Sequence, residues 1–250
     1  ATASITYDAV APTVTITSPA TGTTSDNTPL LTYTVSDGTV VVKVDNVIVA
    51  KTSGDSLSTL SDAIHTVRVE ATDSAGNVGS AEVAFTVDTT PPTLTINSVT
   101  TPTAVNNQII TGTVEVGAAV AVVTDTTASD GTATVIGNTW SYSISGLVDG
   151  VNGITVTAID RAGNAATTIA NIILDTTIPA ITLNQVTTPT KQGSQTITGT
   201  VENATSITIA TNTAASDGTA DIAGNTWSYN ITGLVEGSNE ITVTAINTIG

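Results

Sequence analysis

The sequence predicts an all-β chain built from three small β-sandwiches in tandem. Only 3% of its 250 residues are aromatic, while Thr, Val, Ile, Ala, Ser and Gly dominate. β-branched side chains fit a pleated, half-buried surface. A passage that begins Asp73-Ser-Ala-Gly-Asn77 returns as Asp160-Arg-Ala-Gly-Asn164, and each copy is followed by an Asp-Thr-Thr joint containing proline. A turn, a strand and a stiff joint that recur together are typical of a string of similar domains.

The spacing of this repeat predicts the domain boundaries. Asp88 lies 15 residues after Asp73, and Asp175 lies 15 residues after Asp160. We therefore place domain 1 at 8–87, domain 2 at 88–174 and domain 3 at 175–250. Domains 2 and 3 are close copies at an offset of 87, as the pair Trp140 and Trp227 illustrates. Residues 1–7 repeat the pattern that precedes Asp88, so we interpret them as the last strand of a preceding or neighbouring domain.

Apolar runs separated by turn dipeptides predict the strands in the order of the chain. In domain 1 these runs predict strands at 13–17, 30–35, 40–45, 47–50, 66–71 and 82–87. Asp37-Gly38 and Asp45-Asn46 have the composition of tight turns between them. About seven short strands in roughly 85 residues indicate a two-sheet sandwich.

The alternation of apolar and polar residues in domain 2 predicts which side chains form the core. Trp140, Tyr142 and Ile144 share one face of a strand, and serines occupy the other face. This is the pattern of a sheet with one face buried and one in water. We expect Trp140 to be a core residue whose indole N–H reaches a backbone partner.

Domain 3 departs from its copy at the end. Its version of the Asp160 turn begins with Asn247, and no final strand follows. A sandwich without an edge strand exposes backbone groups and an apolar groove. Two explanations remain open: the segment was cut from a longer array, or residues 1–7 of one copy complete domain 3 of another, giving a filament by strand donation.

Composition argues against several classes of function. A net charge of −16 disfavours nucleic acid, which binds basic surfaces, and no apolar run approaches the ~20 residues that span a bilayer. The chain has no cysteine, and His65 is its only histidine, with no acid partner that the sequence reveals. A hydroxyl nucleophile needs a neighbouring base. We therefore do not expect an enzyme.

Several motifs together resemble a known family. Ile110-Thr-Gly-Thr-Val-Glu115, Asn138-Thr-Trp-Ser-Tyr142 and Leu147-Val-Asp-Gly150 look like the tandem bacterial immunoglobulin-like (Ig-like) domains of large cell-surface adhesins and biofilm proteins. The resemblance implies Greek-key sandwiches in an elongated rod at the cell surface, with flanking repeats or further copies as partners. It is weak for function, because such modules occur in stalks, adhesins and enzyme appendages alike.

In an Ig-like sandwich, the loop between the last two strands lies at the end where the chain enters. Each Asp-x-Ala-Gly-Asn loop should therefore meet its entering joint, and the resemblance implies that such joints can hold Ca²⁺, which prefers oxygen ligands. The candidate metal ligands are Asp8, Asp73, Asn77, Asp88, Glu115, Asp160, Asn164 and Asp175. The same loop sequence is also a good turn without any metal.

These expectations give one leading hypothesis and three alternatives. The leading one is a stalk segment of an extracellular bacterial adhesin or surface fibre, stiffened at its joints by proline and Ca²⁺. The alternatives are a filament subunit assembled by strand donation, a glycan- or protein-binding adhesive module, and a spacer of a secreted enzyme.

Overall fold

The computed structural model describes residues 2–249, which contain strands, turns, bends and segments without regular secondary structure. The strands form β-sandwiches with three separate clusters of buried apolar side chains. No helix that could cross a membrane is found in these residues. The predicted fold class, tandem β-sandwiches, is confirmed, while the boundaries at 8, 88 and 175 stay a prediction.

The first sandwich has a five-stranded sheet of order β2-β7-β6-β4-β5 and a two-stranded sheet of β1 and β3. Its strands are β1 (Val14–Ser18), β2 (Gly22–Thr24), β3 (Thr32–Val35), β4 (Thr39–Val44), β5 (Val47–Val49), β6 (Ala63–Thr72) and β7 (Val78–Val87). The sequence did not predict β2, which pairs in parallel with the end of β7. β6 and β7 are also longer than predicted, because they pair with each other over ten residues.

The second sandwich has sheets of order β10-β9-β13-β14 and β11-β12-β8. Its strands are β8 (Asn107–Thr113), β9 (Ala119–Thr124), β10 (Gly131–Thr132), β11 (Thr134–Ile136), β12 (Thr139–Ser145), β13 (Gly150–Ile159) and β14 (Ala165–Leu174). Trp140 is 2% exposed, and its Nε1 donates to the carbonyl of Thr95 at 2.9 Å, as predicted. Gly112 lies against this indole, since a Cβ there would be 2.6 Å from Nε1 of Trp140.

The third sandwich repeats this arrangement, except that its described residues have no counterpart of β14 and that a short additional strand, β15 (Ala180–Ile181), pairs with β16 (Ser194–Glu202). Its strands are β15 (Ala180–Ile181), β16 (Ser194–Glu202), β17 (Ser206–Thr211), β18 (Gly218–Thr219), β19 (Asp221–Ala223), β20 (Thr226–Thr232) and β21 (Ile241–Ile246). They form sheets of order β15-β16-β20-β19 and β18-β17-β21. Up to residue 249, no strand pairs with β21 on the side where β14 pairs with β13, in agreement with the predicted missing strand.

The segment before the first sandwich has no regular secondary structure. Residues 2–7 form no β-ladder with the rest of the described chain, and all of them are exposed. Ile5 is 95% exposed and Tyr7 is 89% exposed. Residue 1 lies outside the described part of the chain, so the predicted strand at 1–7 is described only from residue 2 onward.

His65 has an acid partner that the sequence did not reveal. Its Nδ1 lies 2.7 Å from Oδ2 of Asp45, and its Nε2 lies 2.8 Å from the carbonyl oxygen of Ser61. Burial acts to lower the pKa of His65, but the hydrogen bonds to these two oxygens raise it above its ordinary value. Because both ring nitrogens face acceptors, a doubly protonated ring satisfies both contacts, and the ring then has no lone pair with which to act as a base.

Candidate functional site: the joints between sandwiches

The loop between β13 and β14 is closed by its own aspartate. Oδ1 of Asp160 accepts hydrogen bonds from the backbone N–H of Ala162 at 2.8 Å and of Asn164 at 2.9 Å. Oδ2 of Asp160 accepts from Nδ2 of Asn164 at 2.9 Å. Gly163 completes the turn at φ 95°, a conformation that glycine adopts without strain. The loop sequence thus fixes the direction in which the Asn164 amide points.

This amide reaches the linker that enters the second sandwich. Nδ2 of Asn164 donates to the carbonyl oxygen of Asp88 at 2.8 Å, a contact between residues 76 apart in sequence. The same loop also contacts the first sandwich, because the backbone N–H of Ser25 donates to the carbonyl of Ala162 at 3.1 Å. One loop therefore contacts its own linker and the preceding sandwich.

The first sandwich has the same arrangement at its own entry. Oδ1 of Asp73 accepts from the N–H of Ala75 at 2.8 Å and of Asn77 at 2.9 Å. Nδ2 of Asn77 donates to Oδ2 of Asp73 at 2.9 Å and to the carbonyl of Asp8 at 3.2 Å. The structure therefore brings Asp73 and Asn77 to Asp8, as it brings Asp160 and Asn164 to Asp88.

The joint before the third sandwich is built differently. Asn247 stands where Asp160 stands in the second sandwich, and its Oδ1 accepts from the N–H of Ile249 at 3.0 Å. Its Nδ2 donates to the carbonyl of Thr177 at 2.9 Å, two residues beyond Asp175. Asn247 therefore contacts this joint at Thr177. An amide nitrogen can donate to a carbonyl in this way, whereas the carboxylate of the equivalent Asp160 only accepts.

Each linker carboxylate accepts a hydrogen bond from the backbone of the turn in which it lies. Oδ1 accepts from the backbone N–H two residues later at Asp8, Asp88 and Asp175, at 3.0, 3.1 and 2.9 Å. Glu115 is exposed in a turn that lies beside the Asp160 loop, since a Cβ on Gly117 would be 3.1 Å from Nε of Arg161. Glu115 is thus at the predicted end of the sandwich, but within the described part of the chain its carboxylate makes no hydrogen bond to the linker.

A second set of contacts, which we call the threonine clamps, was not predicted from the sequence. The Asp62 carboxylate accepts from the N–H of Thr89 at 3.1 Å and from the hydroxyls of Thr89 and Thr90 at 2.9 Å each. Asp149 accepts in the same way from the N–H of Thr176 at 3.1 Å and from its hydroxyl at 2.8 Å. A signal was present, because both acids lie 26 residues before the linker aspartate and both linkers carry Thr-Thr.

Comparison with known proteins addresses the fold. No protein-family model and no curated protein matches the sequence. Among solved structures, the I-band fragment I67–I69 from titin has a TM-score of 0.55 at 11% identity, and covers 97% of this chain and 96% of that one. This chain is a tandem array of Ig-like domains. At this level of identity the likeness to titin establishes the fold alone.

Bacterial adhesins are also among the structures similar to these Ig-like domains. A tetra-tandem repeat from the extending region of a large adhesion protein is 25% identical over 96% of this chain and 71% of that one, with a TM-score of 0.36. A Ca²⁺-stabilized adhesin with which an Antarctic bacterium binds ice is 19% identical over 96% and 74%, with a TM-score of 0.38.

Three carboxylates at the joints of the Ig-like domains, those of Asp62, Asp73 and Asp160, have depressed pKa values. The hydrogen bond from the Asn77 side chain is the main reason why the pKa of Asp73 is below its ordinary value. At Asp160, burial acts to raise the pKa, but hydrogen bonds from Asn164 and the loop backbone lower it overall. Hydrogen bonds from the Thr89 and Thr90 hydroxyls lower the pKa of Asp62. The contacts of these three carboxylates are therefore most stable when Asp62, Asp73 and Asp160 are ionised.

We expect the joints to loosen in acid. A depressed folded-state pKa gives stability that is present above the unfolded value of about 3.9 and is lost as the pH falls through the folded value. The side-chain amide resonances of Asn77 and Asn164 should therefore stay constant at neutral pH and shift together below about pH 4. NMR titration measures this, and the exposed Asn171 on β14 serves as the reference amide. Resonances of Asn77 and Asn164 that follow Asn171 throughout would contradict the expectation.

Proposed function

We propose that this chain is a structural segment of an extracellular bacterial adhesin or surface fibre, in which joints between Ig-like domains are held stiff. The observation that carries the proposal is the bond from Asn164 to the carbonyl of Asp88, made by a loop that also accepts from Ser25 of the preceding domain. A loop that is hydrogen-bonded both to its own linker and to the preceding domain restricts bending between the two domains. The proposed role is mechanical and involves no catalysis.

The linker between the first two domains is held from both sides. Asp62 of the preceding domain clamps Thr89 and Thr90, while Asn164 of the following domain binds the carbonyl of Asp88. Two prolines follow directly, at 91 and 92, and their rings fix φ near −65°. Each hydrogen bond contributes only about 0.5–1.5 kcal/mol. Their combined effect is to select one orientation of the linker among those that the backbone permits.

Ca²⁺ is part of the proposal as an additional brace. At the second domain, Oδ2 of Asp160 and the carbonyl oxygen of Asp88 lie 2.9 and 2.8 Å from the same Nδ2 of Asn164. If the oxygen of that amide faced them instead, three oxygens would converge, and oxygen is the ligand that Ca²⁺ takes. Residues 2–249 contain no cluster of three or more acidic or histidine side chains, so carbonyl oxygens and water would complete the shell.

The residues that would hold the ion are therefore the loop and linker pairs. At the entry to the second domain these are Asp160, Asn164 and Asp88, with Glu115 nearby. At the entry to the first domain they are Asp73, Asn77 and Asp8. The joint at Asp175 offers a poorer set, because Asn247 replaces the loop carboxylate. When bound, the ion would neutralise acidic groups and link the loop to the linker.

Replacing Asn164 with alanine should loosen the first joint. Because the chain has no cysteine, single cysteines introduced at exposed Thr59 and Thr134 allow a spin label to be placed on each of the two domains. We expect Asn164→Ala to broaden the distribution of label-to-label distances measured by electron spin resonance. Asn171→Ala, on an exposed face of the same domain, should leave the distribution as in the wild type. Equal distributions for all three chains would contradict the proposed stiffening.

The contribution of Ca²⁺ is measured on the same labelled chain. If the ion braces the joint, then Ca²⁺ should narrow the distance distribution and a chelator should broaden it again. The response should disappear in Asp160→Ala, which removes the loop carboxylate. A wild-type distribution that is identical with Ca²⁺ and with chelator would remove the ion from the proposal and leave the hydrogen-bonded joint in place.

A further inference from the structure

The acid of each threonine clamp follows a peptide group that another side chain holds. In the second domain, Nδ2 of Asn152 donates to the carbonyl of Val148 at 2.8 Å, and the next residue is the clamp acid Asp149. The carbonyl of Val148 and the Cα of Asp149 belong to one planar peptide unit. A bond that fixes this plane therefore also fixes the direction in which the Asp149 side chain leaves the backbone.

His65 holds the equivalent peptide group in the first domain. Its Nε2 lies 2.8 Å from the carbonyl oxygen of Ser61, and the next residue is the clamp acid Asp62. Among the described residues, the Ser61 carbonyl accepts no other hydrogen bond. His65 and Asn152 both stand three positions after the acid of their clamp. The two side chains are therefore equivalent in position and contact, but only the histidine titrates near neutral pH.

The His65 ring needs two protons to keep both of its contacts. Nδ1 lies 2.7 Å from Oδ2 of Asp45, while Nε2 faces the carbonyl of Ser61. A neutral imidazole has one N–H and can donate to only one of these oxygens. A bond to a carboxylate is stronger than one to a neutral carbonyl, so the remaining proton stays on Nδ1. The lone pair of Nε2 then faces the oxygen of Ser61, and the two acceptors repel each other.

Asp45 is the ionisable group whose charge acts on His65. The histidine is 6% exposed, and its partner on β7 is Phe85, with ring centroids 6.1 Å apart. In the segment between β5 and β6, the Asp55 carboxylate is bonded within its own turn and the Asp62 carboxylate is bonded to the linker. The charged residues of β4, β6 and β7 alternate onto the opposite face of the sheet, where they pair with one another: Lys43, Arg68, Glu70 and Glu82.

The direction of the pH dependence follows from the pKa of His65. Burial acts to lower this pKa, but the hydrogen bonds with Asp45 and Ser61 raise it above the ordinary value of about 6.5. The arrangement with two bonds is therefore fully present below the unfolded pKa and is lost as the pH rises through the folded pKa. This transition is opposite in sign to the loosening that we expect in acid, where Asp62 becomes protonated.

We propose that His65 is a pH-sensitive switch of the first threonine clamp. The doubly protonated ring holds the peptide between Ser61 and Asp62, and the neutral ring releases it. The Ser61 carbonyl, which lies in an exposed loop, then turns toward water, and the Asp62 carboxylate is no longer directed at the linker. Loss of one hydrogen bond of ordinary strength lowers the ratio of clamped to released loop about threefold to tenfold.

The consequence for the joint rests on the proposed function. Below the transition the linker is held from both domains, and above it the bond from Asn164 to the carbonyl of Asp88 remains. That bond involves no group that titrates near neutral pH. The clamp of the second joint has Asn152 in place of histidine and does not respond in this range. The chain thus contains a pH-sensitive clamp together with a pH-insensitive one.

The test follows threonine methyl resonances of the 250-residue chain by NMR between about pH 5 and about pH 9, on both sides of the ordinary histidine pKa. The N–H of Thr89 donates to Asp62, and the N–H of Thr176 donates to Asp149, both at 3.1 Å. Because His65 is the only histidine, its ring resonance is identified without ambiguity. We expect the Thr89 methyl to shift with the same midpoint as the His65 ring, and the Thr176 methyl to stay constant.

Two variants test the mechanism of release. His65→Asn places the side chain of the second clamp in the first, so the Thr89 methyl should no longer shift with pH. Asp45→Asn replaces the Oδ2 acceptor with an amide that donates to Nδ1, so a neutral ring can keep its proton on Nε2 for Ser61. In this variant the Thr89 methyl should stay at its clamped position even where the ring is neutral. The backbone at position 45 has φ 50°, which asparagine tolerates, so the fold should be kept.

A Thr89 methyl that stays constant while the His65 ring titrates would overturn the proposal. So would a Thr89 shift that persists in His65→Asn, or one in Asp45→Asn that still follows the loss of the ring charge. These readouts do not depend on the stiffness of the joint. If Asn164→Ala left the label distances unchanged, the proposed function would fail, while a Thr89 methyl that follows His65 would still support the switch.

Discussion

Trp140→Ala is expected to destabilise the second Ig-like domain by about 3–5 kcal/mol, the usual cost of removing a buried tryptophan. The side chain is 2% exposed and packs in the cluster that contains Ile110, Val122 and Ile144. Its loss leaves a cavity and removes the hydrogen bond to the carbonyl of Thr95. Because domains of this size have only 5–15 kcal/mol of stability, the substitution should unfold the second domain well below its normal temperature.

Calorimetry and urea unfolding measure this effect, and the chain provides its own matched controls. Trp140→Phe keeps most of the ring but loses the N–H donor, so it should cost less than alanine does. Trp227→Ala removes the equivalent side chain, which donates a hydrogen bond to the carbonyl of Thr182. It should lower the unfolding temperature of the third domain instead. A loss of less than about 1 kcal/mol for Trp140→Ala would show that the ring is not the centre of this core.

Asn152→Ala should destabilise the second domain by about 2–3 kcal/mol, since it leaves buried polar groups without partners. Asn152 is fully buried. Its Oδ1 accepts from the N–H of Val148 and the hydroxyl of Thr126, both at 3.0 Å. Its Nδ2 donates to the carbonyls of Val148, Gly150 and Ile172, at 2.8, 3.2 and 3.3 Å. The last of these bonds reaches the final strand β14, and the bonds to Val148 hold the loop before β13.

Asn239→Ala is a close control, because Asn239 occupies the same position in the third domain. It accepts from the hydroxyl of Thr213 and the N–H of Val235, and it donates to the carbonyl of Val235. The difference is the missing strand, which leaves Asn239 partly exposed. Water can replace the lost bonds there, so we expect a cost below about 1 kcal/mol. Equal costs in urea unfolding of the two variants would mean that burial by the last strand is not the cause.

The fold could be predicted because its signals are local in sequence. The alternation around Trp140 predicts the buried face of β12, and the repeat at offset 87 predicts that two domains share one architecture. β2 was missed because three residues, Gly22–Thr24, carry no periodic pattern. That strand exists only because the end of β7 lies beside it, which depends on the tertiary arrangement. The partner of His65 was missed for the same reason, since Asp45 lies 20 residues away in a turn.

The candidate site was predicted in part. Topology placed each Asp-x-Ala-Gly-Asn loop at its entering joint, and the contacts of Asn77 with Asp8 and of Asn164 with Asp88 lie there. The sequence could not specify which atoms of these residues meet. The linker contributes its backbone carbonyl, while its carboxylate caps its own turn, and such a choice depends on side-chain geometry that spacing alone does not contain.

The parallel pairing of β2 with β7 has a consequence under load. The chain enters the first domain at β1, just before β2, and leaves it from the end of β7. Gly22, Thr23 and Thr24 of β2 pair with Phe85, Thr86 and Val87 of β7. When the two ends of the domain are pulled apart, the force acts along the two parallel strands in opposite directions. The hydrogen bonds between them are then loaded in shear, and all of them bear the load simultaneously. In the second domain this patch is a single parallel bridge between Thr103 and Leu174. Under tension, the second domain should therefore yield before the first, and the array would extend in separate steps instead of breaking at once.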